Sequence, residues 1–372
     1  MSPPNPADTP HDPLVGVVLD GRYRIDGKVG AGGMGQVYRA EQLKLGRSVA
    51  VKVLHANGIA DPDLRARFER EAVALARVNH PNVLHAYDHG LTEDGRLYLV
   101  TELLEGLTLR RLIAAHPDRR LPLPAAVLIL RQLADALEAV HGVLVHRDLK
   151  PHNVVVQNTA RGLKTTLLDF GIVRPRQGSE LTTNGIIGTP AYMSPEQIQQ
   201  EATIDARSDL YSLGVMAYEL LTGRPPFRSD KQMEVLSAHL TKTPPPLRDA
   251  LPSTVEIPEP LAELVFQLLA KNRDERPASA MEVRIRLSAV ENRLGGPPTL
   301  AQPDLAALLP EVPAASELPD TGGSGWGSGA AAGSQGAAAG SQGAAAAGSS
   351  QSARPGASAA SGSAGASGPV FG

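Results

Sequence analysis

Between His146 and Asn153 the chain reads His-Arg-Asp-Leu-Lys-Pro-His-Asn, and the β-branched run Val154–Gln157 follows at once. Polar groups crowded ahead of a buried strand need a reason, because a polar group taken from water must be paired. A carboxylate at Asp148 can accept the proton of an attacking hydroxyl. Lys150, two residues on, can neutralise a phosphoryl group in transfer, and Asn153, five residues on from Asp148, can give an oxygen to Mg²⁺. A charged loop is most often only a solvated turn, but this order of residue types argues against that reading. A second cluster, Leu167-Leu168-Asp169-Phe170-Gly171, ends the next apolar run. Asp169 alone would pass for an aspartate capping a turn before glycine. Beside Asn153 it would complete a metal site.

Upstream, Gly30-Ala31-Gly32-Gly33-Met34-Gly35 is a G-x-G-x-x-G run. Glycines there let backbone N–H groups approach phosphate oxygens without Cβ interference. Taken alone the run is weak, since such runs also open dinucleotide folds and ordinary turns. A dinucleotide fold needs a helix next and an acidic residue about 20 positions on. Here Gln36, Val37 and Tyr38 continue as strand, and the comparable region is Val49-Ala50-Val51-Lys52, whose lysine suits phosphates. In the next helical segment Glu71 falls on the inward stripe of Leu64, Phe68, Leu75 and Val78. Either it is a rim glutamate with its head in solvent, or it pairs with Lys52 and holds that lysine on the phosphates of a nucleotide.

The elements that must position these groups change character along the chain. Tyr23–Val29, Gln36–Glu41, Ser48–Leu54 and Leu97–Glu102 read as strands, short β-branched runs broken by Gly and charged turns. One helix interrupts them from Pro62 to about Val78, with Asp61 as its N-cap. Beyond Leu107 helical periodicity dominates, with Pro124–His141 and Asp209–Thr222 each stopped by a glycine, Gly142 and Gly223. The second of these is apolar on most faces and is predicted to be a buried central helix. Val154–Gln157 and the run ending at Leu168 are predicted to form a hairpin across Asn158–Gly162.

The set at 30–37, 49–52, 71, 146–153, 169–171 and 188–196 resembles the eukaryotic-like bacterial serine/threonine protein kinases, in order and spacing, over about 270 residues. The resemblance implies an α+β, bilobal protein-kinase fold: a small β-rich N-lobe, about 21–104, and a larger helical C-lobe, about 105–294. ATP and Mg²⁺ (or Mn²⁺) would lie between them. By carry-over Asp148 is the catalytic base and Lys150 supports the phosphoryl group. Asn153 and Asp169 hold the metal, and Lys52 pairs with Glu71. The loop Val29, Gly30, Ala31, Gly32, Gly33, Met34, Gly35 and Gln36 covers the phosphates. Val37, Ala50 and Val155 sandwich the adenine, Glu102 and Leu104 meet it with backbone groups, and Thr101 guards the back of the pocket. Glu196, in Ser194-Pro195-Glu196, is expected to pair with Arg276, and Asp209 to cap the backbone of the 146–153 loop. Tyr211 stands where tryptophan is frequent. Arg147 would receive a phosphate carried by Thr183 or, as second choice, Thr182, which implies self-association for autophosphorylation. The other reading within the fold is a pseudokinase scaffold, which the presence of Lys52, Asp148, Asn153 and Asp169 together disfavours. A small-molecule phosphotransferase is disfavoured by the Gly188–Glu196 run, which forms a peptide platform in the family, so the partners implied are proteins bearing Ser or Thr.

Composition bounds the rest. Of the 372 residues, 42% are hydrophobic, yet residues 321–372 hold 15 Gly, 16 Ala and 11 Ser. Such a stretch cannot bury enough apolar area to offset its ordering entropy, so 295–372 is predicted to be a disordered tail and 1–20 a short flexible lead. The net charge of -3 arises from those flanks, leaving 21–295 at +3. So mild a balance gives no argument for nucleic acid or a membrane surface. No cysteine is present, which excludes disulfides and thiolate metal sites. No signal-like start and no spanning run of about 20 apolar residues is found, and a soluble, cytoplasmic protein is expected.

Overall fold

The structure is a computed structural model describing residues 12–32, 35–55, 62–169, 181–182, 185–186, 190–252 and 254–295. The chain divides into Met1–Gly327 and Ser328–Gly372, and every element below belongs to the first unit. The expected tail, the glycine-loop tip Gly33 and Met34, the helix cap Asp61, Phe170, Gly171 and Thr183 lie outside the described residues.

A six-stranded antiparallel sheet comes first, in the order β1-β2-β3-β4-β6-β5. Its strands are β1 (Val18–Leu19), β2 (Tyr23–Gly32), β3 (Gly35–Gln42), β4 (Arg47–Leu54), β5 (Ala86–Leu91) and β6 (Leu97–Glu102). Side chains alternate between faces along a strand. Val49, Val51 and Val53 of β4 therefore join Tyr23, Ile25, Tyr38, Tyr98 and Val100 in a core on one face, while Ala50 and Lys52 point to the other. Residues 12–20, expected to be part of a flexible lead, are packed instead. Leu14 and Leu19 are buried in that outer core, and Tyr38 donates its hydroxyl proton to the Asp12 carboxylate at 3.0–3.1 Å. These two apolar anchors, close in sequence to the start of β2, offset the entropy that composition alone assigns to this segment.

Helix α1 (Pro62–Ala76) lies on the opposite face, burying Phe68, Ala72 and Leu75 at i, i+4, i+7 spacing. The chain then passes β7 (Leu107–Thr108), α2 (Leu109–Ala115) and α3 (Leu123–His141), and reaches the hairpin β8 (Val154–Thr159) and β9 (Gly162–Leu167). β7, β8 and β9 form a small separate sheet in which Val154 pairs with Leu167. β10 (Leu181–Thr182) and β11 (Gly185–Ile186) pair with each other. The helices α4 (Pro195–Ile198), α5 (Ala206–Thr222), α6 (Gln232–Thr241), α7 (Leu247–Ala250), α8 (Glu259–Leu268) and α9 (Ala280–Arg293) complete the described chain.

The central helix α5 is buried continuously from Ser208 to Leu221. It starts three residues before the expected Asp209 because Asp205 caps it, accepting the Arg207 N–H at 2.8 Å. It ends at Gly223, φ 82°, whose N–H reaches Glu219 O at 2.7 Å. A Cβ there would lie 2.4 Å from Asp118 O. Gly223→Ala combines that clash with a left-handed backbone, and is expected to cost about 2 kcal/mol or more. A thermal melt read beside wild type checks this; an unchanged midpoint would show that the α5 terminus relaxes freely.

Candidate active site

The loop 146–153 is built by hydrogen bonds from below. The Asp209 carboxylate, 1% exposed, accepts the backbone N–H of His146 on Oδ2 and that of Arg147 on Oδ1, both at 2.8 Å. His141 Nε2 stands 2.9 Å from the same Oδ2. Burial pushes Asp209 up, but the bond and charge of His141, with His146 behind it, outweigh burial and hold it below the ordinary aspartate value. This double acceptance fixes Arg147 in a left-handed conformation, φ 64°, that a free L-residue rarely adopts. Gln197 Nε2 secures the Arg147 carbonyl at 2.8 Å. The expected capping role of Asp209 is what the geometry shows.

His146 is fully buried. Its Nε2 lies 2.7 Å from Leu168 O, and its Nδ1 accepts the Asp148 N–H at 3.2 Å. Only a neutral imidazole with the proton on Nε2 satisfies both partners. Burial likewise lowers its pKa, against the opposing charges of Asp209, Asp148 and Asp169. The ring thereby ties the 146–153 loop to the end of β9, where Leu168 N also donates to Asn153 O at 2.8 Å.

On this frame Asp148 Oδ2 receives Lys150 Nζ at 2.9 Å and Asn153 Nδ2 at 3.0 Å. Asn153 Nδ2 also donates to Asp148 O at 2.8 Å. Asp169 follows β9 with φ 45° and meets Lys52 Nζ at 2.6 Å through Oδ1. Burial in the cleft raises the Asp169 pKa, yet the Lys52 charge and hydrogen bond prevail and leave it lowered. The expected partner of Lys52 was Glu71, and here the structure differs. Phe68, Ala72 and Leu75 occupy the inward face of α1, and Glu71 falls one step round the helix. It lines a second cavity of about 480 Å³ with Arg67, Arg70, His141 and Arg147.

A cavity of about 210 Å³ is lined by residues of both sheets and gathers a further part of the expected set. Val29, Val37, Ala50 and Val155 supply its apolar walls, Thr101, Glu102 and Leu104 one side, and Lys52 and Asp169 its polar end. Val29 is 54% exposed at this mouth. Gly30, Ala31 and Gly32 end β2, and Gly35 and Gln36 begin β3, with Gly32 opposite Gly35 in register. Glu102 N donates to His85 O at 3.1 Å and its carbonyl accepts Thr101 Oγ1 at 3.2 Å.

Residues 23–285 match the protein kinase domain family. The chain belongs to the protein kinase family, in its bacterial serine/threonine branch. Serine/threonine-protein kinase pkn2 of Myxococcus xanthus is 42% identical over 324 residues, which are 86% of this chain and 38% of that protein. PknL of Mycobacterium tuberculosis is 38% identical over 291 residues, 77% of this chain and 70% of that one. The crystal structure of the PknI kinase domain of M. tuberculosis superposes with a TM-score of 0.59 at 28% identity, covering 75% of this kinase and 98% of that chain. This kinase spans less than two thirds of the first three curated relatives, 38%, 60% and 44% of their lengths. Among its described residues no helix is long and apolar enough to cross a membrane.

Two arrangements in the kinase were not read from sequence. One is the Lys52–Asp169 pair. The other surrounds Glu219, which is 2% exposed on α5 and takes Arg110 Nη1 at 3.0 Å and the Tyr192 hydroxyl on its two oxygens. A carboxylate in the apolar second half of α5, among Val215, Met216, Leu220 and Leu221, was its visible signal.

Buried neutral histidines also set how this kinase responds to acid. Burial, then the charge of Lys271, pushes His239 down to about 3, while His146 is lowered by burial. The unfolded chain protonates histidine near pH 6.5. Between that value and the folded pKa the unfolded state holds more protons, so stability falls as pH falls. His239 alone is expected to remove about 2 kcal/mol between pH 7 and 5. His239→Asn keeps a polar atom toward Tyr211, whose hydroxyl lies 2.9 Å from His239 Nδ1. Melts from pH 7 to 5 are expected to slope less in that variant by about one proton, and parallel slopes would contradict the assignment.

Proposed function

We propose that this kinase transfers the γ-phosphoryl group of ATP to serine or threonine hydroxyls of proteins, with Asp148 as base. The observation that carries the reading is the convergence of Lys150 and Asn153 on one carboxylate oxygen of Asp148, on the loop that His146 joins to the strand preceding Asp169. The acceptor oxygen attacks phosphorus while its proton passes to the Asp148 carboxylate. Lys150 offsets the negative charge that accompanies transfer. Lys52 is the cation set to hold the nucleotide phosphates. The walls around Ala50 and Val155 suit a flat apolar base, and Glu102 and Leu104 would meet its edge.

The residues present fit a magnesium ion. Asn153 spends its Nδ2 on Asp148, which leaves Oδ1 to face a cation together with the Asp169 carboxylate. Among the described residues no three His, Asp or Glu side chains form a metal cage, as suits an ion completed by phosphate oxygens and water. When bound, the metal neutralises charge on those oxygens.

The kinase domain in this reading spans 21–294, with lobes meeting near 104–105. Thr183 and Thr182 are its activating phosphosites, modified by a second copy of the kinase. Arg147 is the residue that would receive that phosphate, and its lining one cavity with Arg67 and Arg70 supports the reading. The cytoplasm, where ATP is supplied, is its compartment. Incubation of wild type and Asp148→Asn with labelled ATP and Mg²⁺, followed by mapping of phosphorylated residues, tests the whole; equal incorporation in both would refute it.

A further inference from the structure

Glu219 is a buried acid that the chemistry above does not use, and it borders the site. Its helix α5 also anchors the peptide platform, since Ser212 Oγ donates to Tyr192 O at 2.7 Å. The Tyr192 hydroxyl and Arg110 Nη1 occupy the two Glu219 oxygens. Arg110 sits on α2, which packs against the Pro151–Asn153 turn beside the base. Its remaining N–H donors have no protein acceptor among the described residues, and its side chain is 28% exposed. Arg110 and Lys150 both bear electrostatically on His152, and together with burial they lower its pKa. The charge of Arg228 also bears on Glu219.

We infer that Arg110 is a specificity-determining residue that makes the substrate groove select Ser/Thr sites flanked by acidic side chains and reject those flanked by Arg or Lys. The inference rests on the kinase reading. A peptide cation could reach the buried Glu219 only by displacing Arg110 from a desolvated, hydrogen-bonded pair, and that exchange gains nothing. A peptide carboxylate meets guanidinium donors still lacking a protein acceptor, and such charge-assisted bonds are the stronger kind. Discrimination of this sort combines an attraction with a repulsion: the acid is received, and the cation faces Arg110, Lys150 and Arg228.

The test uses the full chain and synthetic peptides with a central Thr in an alanine background, carrying a single Glu or Arg at each flanking position. At one position or more, kcat/KM for Glu is expected to exceed that for Arg by about tenfold. Arg110→Gln is expected to bring that ratio to about 1, and Glu219→Gln, which keeps Arg110, to preserve or raise it. If Arg110→Gln fails to fold, Arg110→Gln/Glu219→Gln removes both charges and is expected to give the same loss of preference. A wild-type preference for Arg, or a ratio unmoved by losing Arg110, overturns the inference alone. No transfer to any peptide, together with no autophosphorylation, overturns the kinase reading beneath it.

Discussion

Asp148→Asn is expected to lower phosphoryl transfer by about a thousandfold while leaving the fold intact. The variant keeps the shape of the side chain and one oxygen able to accept from Lys150 and Asn153, which lie 2.9 and 3.0 Å from Oδ2. In the proposed reaction it removes the negative charge that would draw the acceptor proton, and an amide is too weak a base to replace it. Nothing that holds the loop is touched, because Asp209, His146 and Gln197 secure backbone groups. Initial rates of phosphate incorporation, read with a thermal melt, separate the two effects. The expected pattern is a lost rate at a midpoint within a few degrees of wild type. A large drop in the midpoint would mean that the Lys150–Asp148–Asn153 cluster is structural.

Arg276→Ala is expected to destabilise the protein more than any surface change, by about 3–5 kcal/mol. Arg276 and Glu196 are 4% and 3% exposed, and they meet in two bonds, Nη1 to Oε1 at 2.7 Å and Nη2 to Oε2 at 2.9 Å. The remaining donors go to Ala270 O, Arg207 O and Lys271 O, so all five guanidinium N–H groups are used. Ser208 Oγ adds a bond to Glu196 at 2.6 Å. Burial raises the Glu196 pKa, but Arg276 and then Ser208 outweigh it and leave it lowered. Removing Arg276 strands a buried carboxylate and three backbone carbonyls together. For a domain of this size the loss corresponds to a midpoint about 10 °C lower. Glu196→Leu/Arg276→Met is expected to lie between the single variant and wild type. It abolishes the stranded charge but leaves the carbonyls unmatched. A double variant no better than Arg276→Ala would show that the carbonyl bonds, not the charge pair, carry the energy.

The folded-state pKa of Glu196 also fixes the direction of its pH effect. Because it is lowered, the pair stabilises above the unfolded carboxylate value, and that stability is lost as pH falls through the folded one.

The strands carrying Ala50 and Lys52, the hairpin of β8 and β9 and the buried helix α5 were legible because β-branched alternation and apolar periodicity mark them directly. β5 was not, because Ala-Tyr-Asp-His-Gly-Leu carries no alternation and becomes a strand only by pairing with β6. Leu14 and Leu19 were hidden within a segment rich in Pro and Asp, since composition averages over the anchors that dock it.

At the site, the motifs at 30–35, 49–52, 146–153 and 169–171 were enough for the resemblance to the family, and the resemblance supplied the bilobal architecture and the expected groups around the cleft. The motifs themselves are legible because each needs particular residue types close together in the chain, such as glycine for close backbone approach. Which charges meet was decided only by the folded chain. Lys52 had carboxylates within reach of argument at Glu71 and at Asp169, 117 residues away. Separation along the chain carries no information about a pair whose members sit on different sheets. The rotation of α1, set by where Phe68, Ala72 and Leu75 find apolar cover, placed Glu71 beside Arg67 and Arg147. The left-handed turn at Asp169 placed its carboxylate on Lys52. Glu219 and Arg110 obey the same logic: a helix must bury its apolar faces first, and its rare acids take whatever cation the packing brings within reach.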